Sequence, residues 1–100
     1  MKNKALFEAF DGEFKNQIKG SVNYRTDDSD TNRLGILNGL EIENEHFSAY
    51  VYHWSKGFVH YSAVDVKTGD TIIPIDITEY SAKKLHGILE KISELFNSKV

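Results

Sequence analysis

Residues 46–96 read HFSAYVYHWSKGFVHYSAVDVKTGDTIIPIDITEYSAKKLHGILEKISELF, and this stretch decides the fold. It divides into three strand-like runs joined by two glycine turns, followed by one amphipathic helix. Ser55-Lys56-Gly57 and Lys67-Thr68-Gly69 each read as a three-residue hairpin loop with glycine in the left-handed region. Loops of that length set Trp54 opposite Phe58 and Val66 opposite Asp70. Because side chains alternate between faces along a strand, one face then collects Phe47, Ala49, Val51, His53, Val59, Tyr61, Ala63, Ile73, Ile75 and Ile77. The other face carries Tyr50, Tyr52, Trp54, Phe58, His60, Val64 and Val66. A one-residue change in either loop would mix the two sets. Pro74 has no ladder donor, which points to an edge strand or a local bend.

Leu85, Ile88, Leu89, Ile92, Leu95 and Phe96 recur at helical period and predict a helix over 79–97, capped by Thr78 or Ser81. Gly87 costs such a helix about 1 kcal/mol relative to alanine, and close packing against the sheet would account for it. Upstream, Ile36 to Glu43 reads as a strand. A turn at Asn44-Glu45 would pair Ile42 with Phe47, while Asn38-Gly39 competes as a hairpin turn. Leu6, Phe10, Phe14 and Ile18 fit a helix over 3–19 followed by a short strand, although the same even positions run on through Val22 and Tyr24 as a strand pattern. The expected fold is α+β: an antiparallel meander of four to five strands, with a C-terminal helix on one face and an N-terminal helix. The expected organisation is a single domain over 1–100. It comprises an N-terminal helix and strand (1–26), an acidic loop (27–33), the sheet (34–78) and the C-terminal helix (79–98).

The chain has 100 residues, no cysteine and a formal net charge of −3. The missing thiols exclude disulfides, zinc–cysteine sites and cysteine nucleophiles. The acidic balance argues against a generic duplex-DNA binder. No apolar run reaches the ~20 residues of a membrane span, and Met1 to Leu6 has no apolar signal core. A cytoplasmic protein without membrane contact is the expectation. His46, His53 and His60 recur every seven residues, an odd interval that sends successive rings to opposite faces. A shared metal is therefore not expected there. Asp27, Asp28 and Asp30 lack the glycine and terminal glutamate of a calcium loop. With neither a nucleophile elbow nor a phosphate-binding glycine loop, the expectation is a non-enzymatic protein without cofactor.

Tyr50-Val51-Tyr52-His53-Trp54, the Lys56-Gly57 turn, the Gly69 turn and the strand Ile75-Asp76-Ile77-Thr78 running into a helix form a strand-strand-strand-strand-helix order over 36–98. That order resembles the Whirly and Pur-alpha group of single-stranded nucleic-acid binders and the positive-cofactor coactivator that shares their layout. In those families the helix covers one sheet face and the open face, often in a dimer, receives the strand. The resemblance thus implies binding through Tyr50, Tyr52, Trp54, Lys56, Phe58 and His60. It departs from them in basic residues, since Lys56 stands nearly alone.

Two readings of function follow. In the first, the ring-rich face binds single-stranded DNA or RNA by stacking, which contributes about 1–3 kcal/mol per base. In the second, the protein is an inhibitor or adaptor of the kind phages and mobile elements encode, docking a basic partner protein. Asp27, Asp28, Asp30, Glu41 and Glu43 would then steer the encounter. Without a ligand, Phe7, Phe10 and Phe14 of the N-terminal helix would simply cover the rings as a second core layer. A homodimer is compatible with either binding reading.

Overall fold

The computed structural model describes residues 5–27 and 35–98. In chain order its elements are α1 (Ala5–Ala9), continued by a π-helical turn (Phe10–Phe14), then β1 (Ser21–Asp27), β2 (Leu37–Glu43), β3 (Phe47–Trp54), β4 (Phe58–Asp65), β5 (Thr71–Glu79) and α2 (Ala82–Asn97). The strands form one five-stranded antiparallel meander in the order β1-β2-β3-β4-β5. The fold is α+β, with both helices on one sheet face.

Burial along β3 alternates strictly between buried and half-buried. Phe47, Ala49, Val51 and His53 point inward, joined through the ladder by Leu40 and Ile42 of β2 and by Val59 and Ala63 of β4. Leu85, Ile88, Leu89, Ile92 and Phe96 of α2 close over them, as do Leu6, Phe10, Phe14 and Ile18. The N-terminal segment therefore shares the aliphatic face with α2 and does not cover the rings. It is also shorter than the expected 3–19 helix. Residues 5–14 are helical, and a bond from Lys15 N–H to Phe10 C=O (2.9 Å) widens the turn that contains Gly12. Ile18 stays buried beyond the helix end. The two helical segments are tied by His86 Nε2 and Glu13 Oε2 at 2.9 Å and by the Phe14–His86 ring contact. The next segment is a full strand, β1. Its Tyr24 meets Phe7 edge-on and donates to Asp11 (2.6 Å). Burial, then the Asp11 carboxylate, pushes the Tyr24 phenol up to about 12.

Both glycine turns form, with Gly57 at φ 100° and Gly69 at φ 78°, and Trp54 pairs with Phe58 as expected. Three register details differ from the sequence reading. Asn44 N–H bonds to Phe47 C=O, so the β2–β3 turn falls on residues 45–46 and Ile42 pairs with Ala49, not Phe47. The shift is by two in pairing, so the faces survive. At the β4–β5 turn, Asp65 N–H bonds to Asp70 C=O, which lengthens the loop by one. The largest departure lies at Pro74. Tyr61 pairs with Asp76 but Ala63 with Ile73, so Pro74 and Ile75 together stand opposite Ser62. Proline cannot supply the ladder donor, and the strand accommodates it as a bulge. Every later side chain is flipped: Asp76 and Thr78 turn to the helix face, while Ile75 and Ile77 leave it, 71% and 53% exposed.

Helix α2 begins three residues later than expected, with Ser81 Oγ accepting from Lys84 N–H at 3.0 Å. Gly87 is not explained by close packing, because a Cβ there would meet no atom within 4 Å. No helix among the described residues is long and apolar enough to cross a membrane.

Leu89 is fully buried, so Leu89→Ala should cost about 2–5 kcal/mol. Ile75→Ala should change stability by less than about 0.5 kcal/mol, the reverse of what its place in the isoleucine series implies. Denaturant titration of the two variants checks the bulged register.

His53 is 2% exposed, stacked on Tyr80 at 4.4 Å and 16°, with Nδ1 lacking a partner among the described residues. Burial holds its imidazole below the usual range. The native state thus binds fewer protons than the unfolded chain, and stability is lost as pH falls below about 6.5. His53→Phe preserves a stacked ring and should flatten that dependence relative to the parent. Denaturant midpoints between about pH 5 and pH 7 measure the difference.

Candidate interaction face

The sheet face opposite the helices is built in rungs fixed by the ladder. Trp54 lies between Leu37 and Phe58, Tyr52 between Gly39 and His60, Tyr50 between Glu41 and Ser62, and Ser48 between Glu43 and Val64. Strand β1 extends these rungs with Asp27, Arg25, Asn23 and Ser21, and β5 adds Glu79 beside Phe58 and Ile77 beside His60. Tyr50, Tyr52, Trp54, Phe58 and His60 therefore share one open, half-buried cluster. Lys56 sits exposed in the adjoining turn.

Three of the rings, Tyr50, Tyr52 and His60, engage one another. Tyr50 and Tyr52 approach to 4.7 Å at 33°, and His60 meets Tyr50 edge-on at 5.2 Å, with Tyr50 Oη and His60 Nε2 3.1 Å apart. Tyr52 lies over Gly39, where any Cβ would stand 2.7 Å from its ring. Its hydroxyl donates to Glu41 Oε2 at 2.8 Å, while Asn23 Nδ2 donates to Glu41 Oε1 at 2.9 Å. These two bonds, with the Arg25 guanidinium 4.0 Å away, hold the Glu41 carboxyl below the usual carboxylate range. Desolvation raises the Tyr50 and Tyr52 phenols, the latter further through Glu41. Trp54 Nε1 is buried without a partner among the described residues.

Asp27, Glu41 and Glu43 lie on the same face as the rings. Asp28 and Asp30 fall outside the described residues. His53 points to the helix side and His60 to the open side, so the heptad-spaced histidines do not converge. Among the described residues no group of His, Asp and Glu is placed to hold a metal ion. The sequence reading missed Leu37, Gly39, Arg25, Ile75 and Ile77 as parts of this face. The glycine opposite a tyrosine was the available signal for Gly39, and Pro74 for the two isoleucines.

A concavity of about 390 Å³ opens beside Tyr50, lined by Glu41, Glu43, Ser48, Ser62 and Val64 among others. A second, of about 220 Å³, continues over Ser21 and Asn23 on the far side of Glu43. Comparison with family models, curated proteins and solved structures finds no match to the chain. The likeness to the Whirly and Pur-alpha group is thus one of architecture, in β2 to β5 followed by α2, and carries no family identity.

Tyr52→Phe removes the first of the two bonds that hold Glu41 ionised. The Glu41 carboxyl should then titrate at higher pH than in the parent, as followed by carbon NMR of its side chain.

Proposed function

We propose that the protein is a non-enzymatic docking module whose open sheet face receives a basic surface of a partner protein. The observation that carries this reading is the charge pattern around the rings. Glu41 and Glu43 stand on the rungs of Tyr50 and Ser48, and Asp27 and Glu79 flank Trp54 and Phe58. On the rungs that bear the rings, the one lysine or arginine among the described residues is Arg25, already facing Glu41, with Lys56 in the turn beside them. A phosphate backbone crossing these rungs would meet more carboxylates than cations, whereas a lysine- or arginine-bearing surface would be drawn in. Large rings with polar edges supply apolar contact area, as at protein interfaces.

Trp54 is the sole tryptophan and belongs to this face, so its fluorescence reports occupancy. At low salt, a short arginine- and lysine-rich peptide should change the emission, and an oligothymidylate of similar length should not. Charge reversal at Glu43 and Asp27 should slow association with the peptide. Quenching by the oligonucleotide alone would replace this reading with the single-strand one.

A further inference from the structure

The open face is stepped. Tyr50, Tyr52, Trp54, Phe58 and His60 raise a ridge, whereas the rung next to the β2–β3 turn carries Ser21, Glu43, Ser48 and Val64. The two concavities meet along this low rung, both bounded by Glu41, Glu43 and Ser48. Glu43 thus lines both concavities of this trough, one rung beyond Tyr50. The neighbouring Glu41 is fixed by Tyr52 and Asn23. The Glu43 carboxylate has no hydrogen bond or ion pair among the described residues. Neither lining contains a basic residue.

We propose that this trough seats one arginine side chain of the partner, its guanidinium lying against the Tyr50 ring and donating to Glu43 and Glu41. The inference rests on the basic-partner reading and names the contact that would anchor it. Arginine fits better than lysine for physical reasons. Its planar, weakly hydrated head stacks on an aromatic face and presents a fork of N–H donors to carboxylates, while an ammonium is a strongly hydrated point charge. The small floor of Ser48 and Ser62 leaves depth for a flat group, and Ser62 Oγ is already committed to Ile73 C=O at 2.8 Å. Glu41, with both oxygens accepting bonds, is held in place before any ligand arrives, so less order is lost on binding.

The probes are short Gly-Ser peptides carrying arginine, lysine or citrulline at the same positions, titrated at low salt into the isotopically labelled protein. The arginine peptide is expected to shift the resonances of Glu43, Tyr50 and Ser62. The citrulline peptide, equal in shape but uncharged, should leave them unmoved, and lysine should bind more weakly. Glu43→Gln, at an exposed position, should weaken the arginine peptide about fivefold or more. Ser48→Leu fills the trough without changing charge and should abolish the shifts at Ser62. Arginine binding that moves only Trp54 and is indifferent to Glu43→Gln would overturn the seat while leaving the basic-partner reading standing. Equal binding of citrulline would overturn it as well. Silence from every basic peptide would remove both.

Discussion

Everything in this molecule depends on the two-residue alternation of β3. Its inward set, Phe47, Ala49, Val51 and His53, is flanked by β2 and β4, and both helical segments gather over that set. A hundred-residue chain has apolar surface enough for about one such layer, and among the described residues both amphipathic segments lie on the same face. The ring-bearing face is open for this reason. Tyr50, Tyr52 and Trp54 are outward as a direct consequence of Val51 and His53 being inward, and no separate device exposes them.

A second constraint acts at the far edge. Pro74 removes one ladder donor from β5, and the resulting bulge turns the rest of the strand over. The outcome moves Ile75 and Ile77 beside the aromatic cluster and places Asp76 and Thr78 near α2, where Asp76 accepts from Tyr61 (3.3 Å) and Thr78 from Lys84 (3.3 Å). The bulge also makes β5 a poor template for another strand, since an irregular edge bearing proline resists pairing. The price is a row of exposed isoleucines at the margin of the open face.

How much of this could be read from the chain follows the range of each signal. The helix of α2, the Ser55-Lys56-Gly57 turn and the faces of β3 and β4 rest on local periodicity and on glycines with one permitted role, and they stand as expected. The N-terminal helix was legible as apolar spacing, but its end was not, because the π turn at Phe10–Phe14 reflects how Phe10 and Phe14 reach the core. Pro74 announced an irregularity without saying which way β5 would turn, since the choice depends on how the strand fits β4. The ring cluster was visible as residues, whereas its bonds to Glu41 and the cover of Gly39 by Tyr52 depend on β2–β3 pairing, which sequence reading had displaced by two residues.

The character of the face as a binding surface turns on order as much as on chemistry. Free rings on a strand would have to lose rotamer freedom on binding. Here Tyr52 is held from below by Gly39 and at its hydroxyl by Glu41, and Tyr50 is held by Tyr52 and His60. Much of that entropic cost is met in the folded state, so a partner's contacts convert into affinity with less loss. The same bonds restrict what the rings can accept: both hydroxyls already have partners, and the faces are partly shared between neighbours. A ligand inserted between successive rings would have to separate them, whereas one lying across the ridge with a side chain in the trough beside Glu43 would leave the cluster intact. On the proposed docking reading, such an occupant would be a folded basic surface with a protruding flat cation.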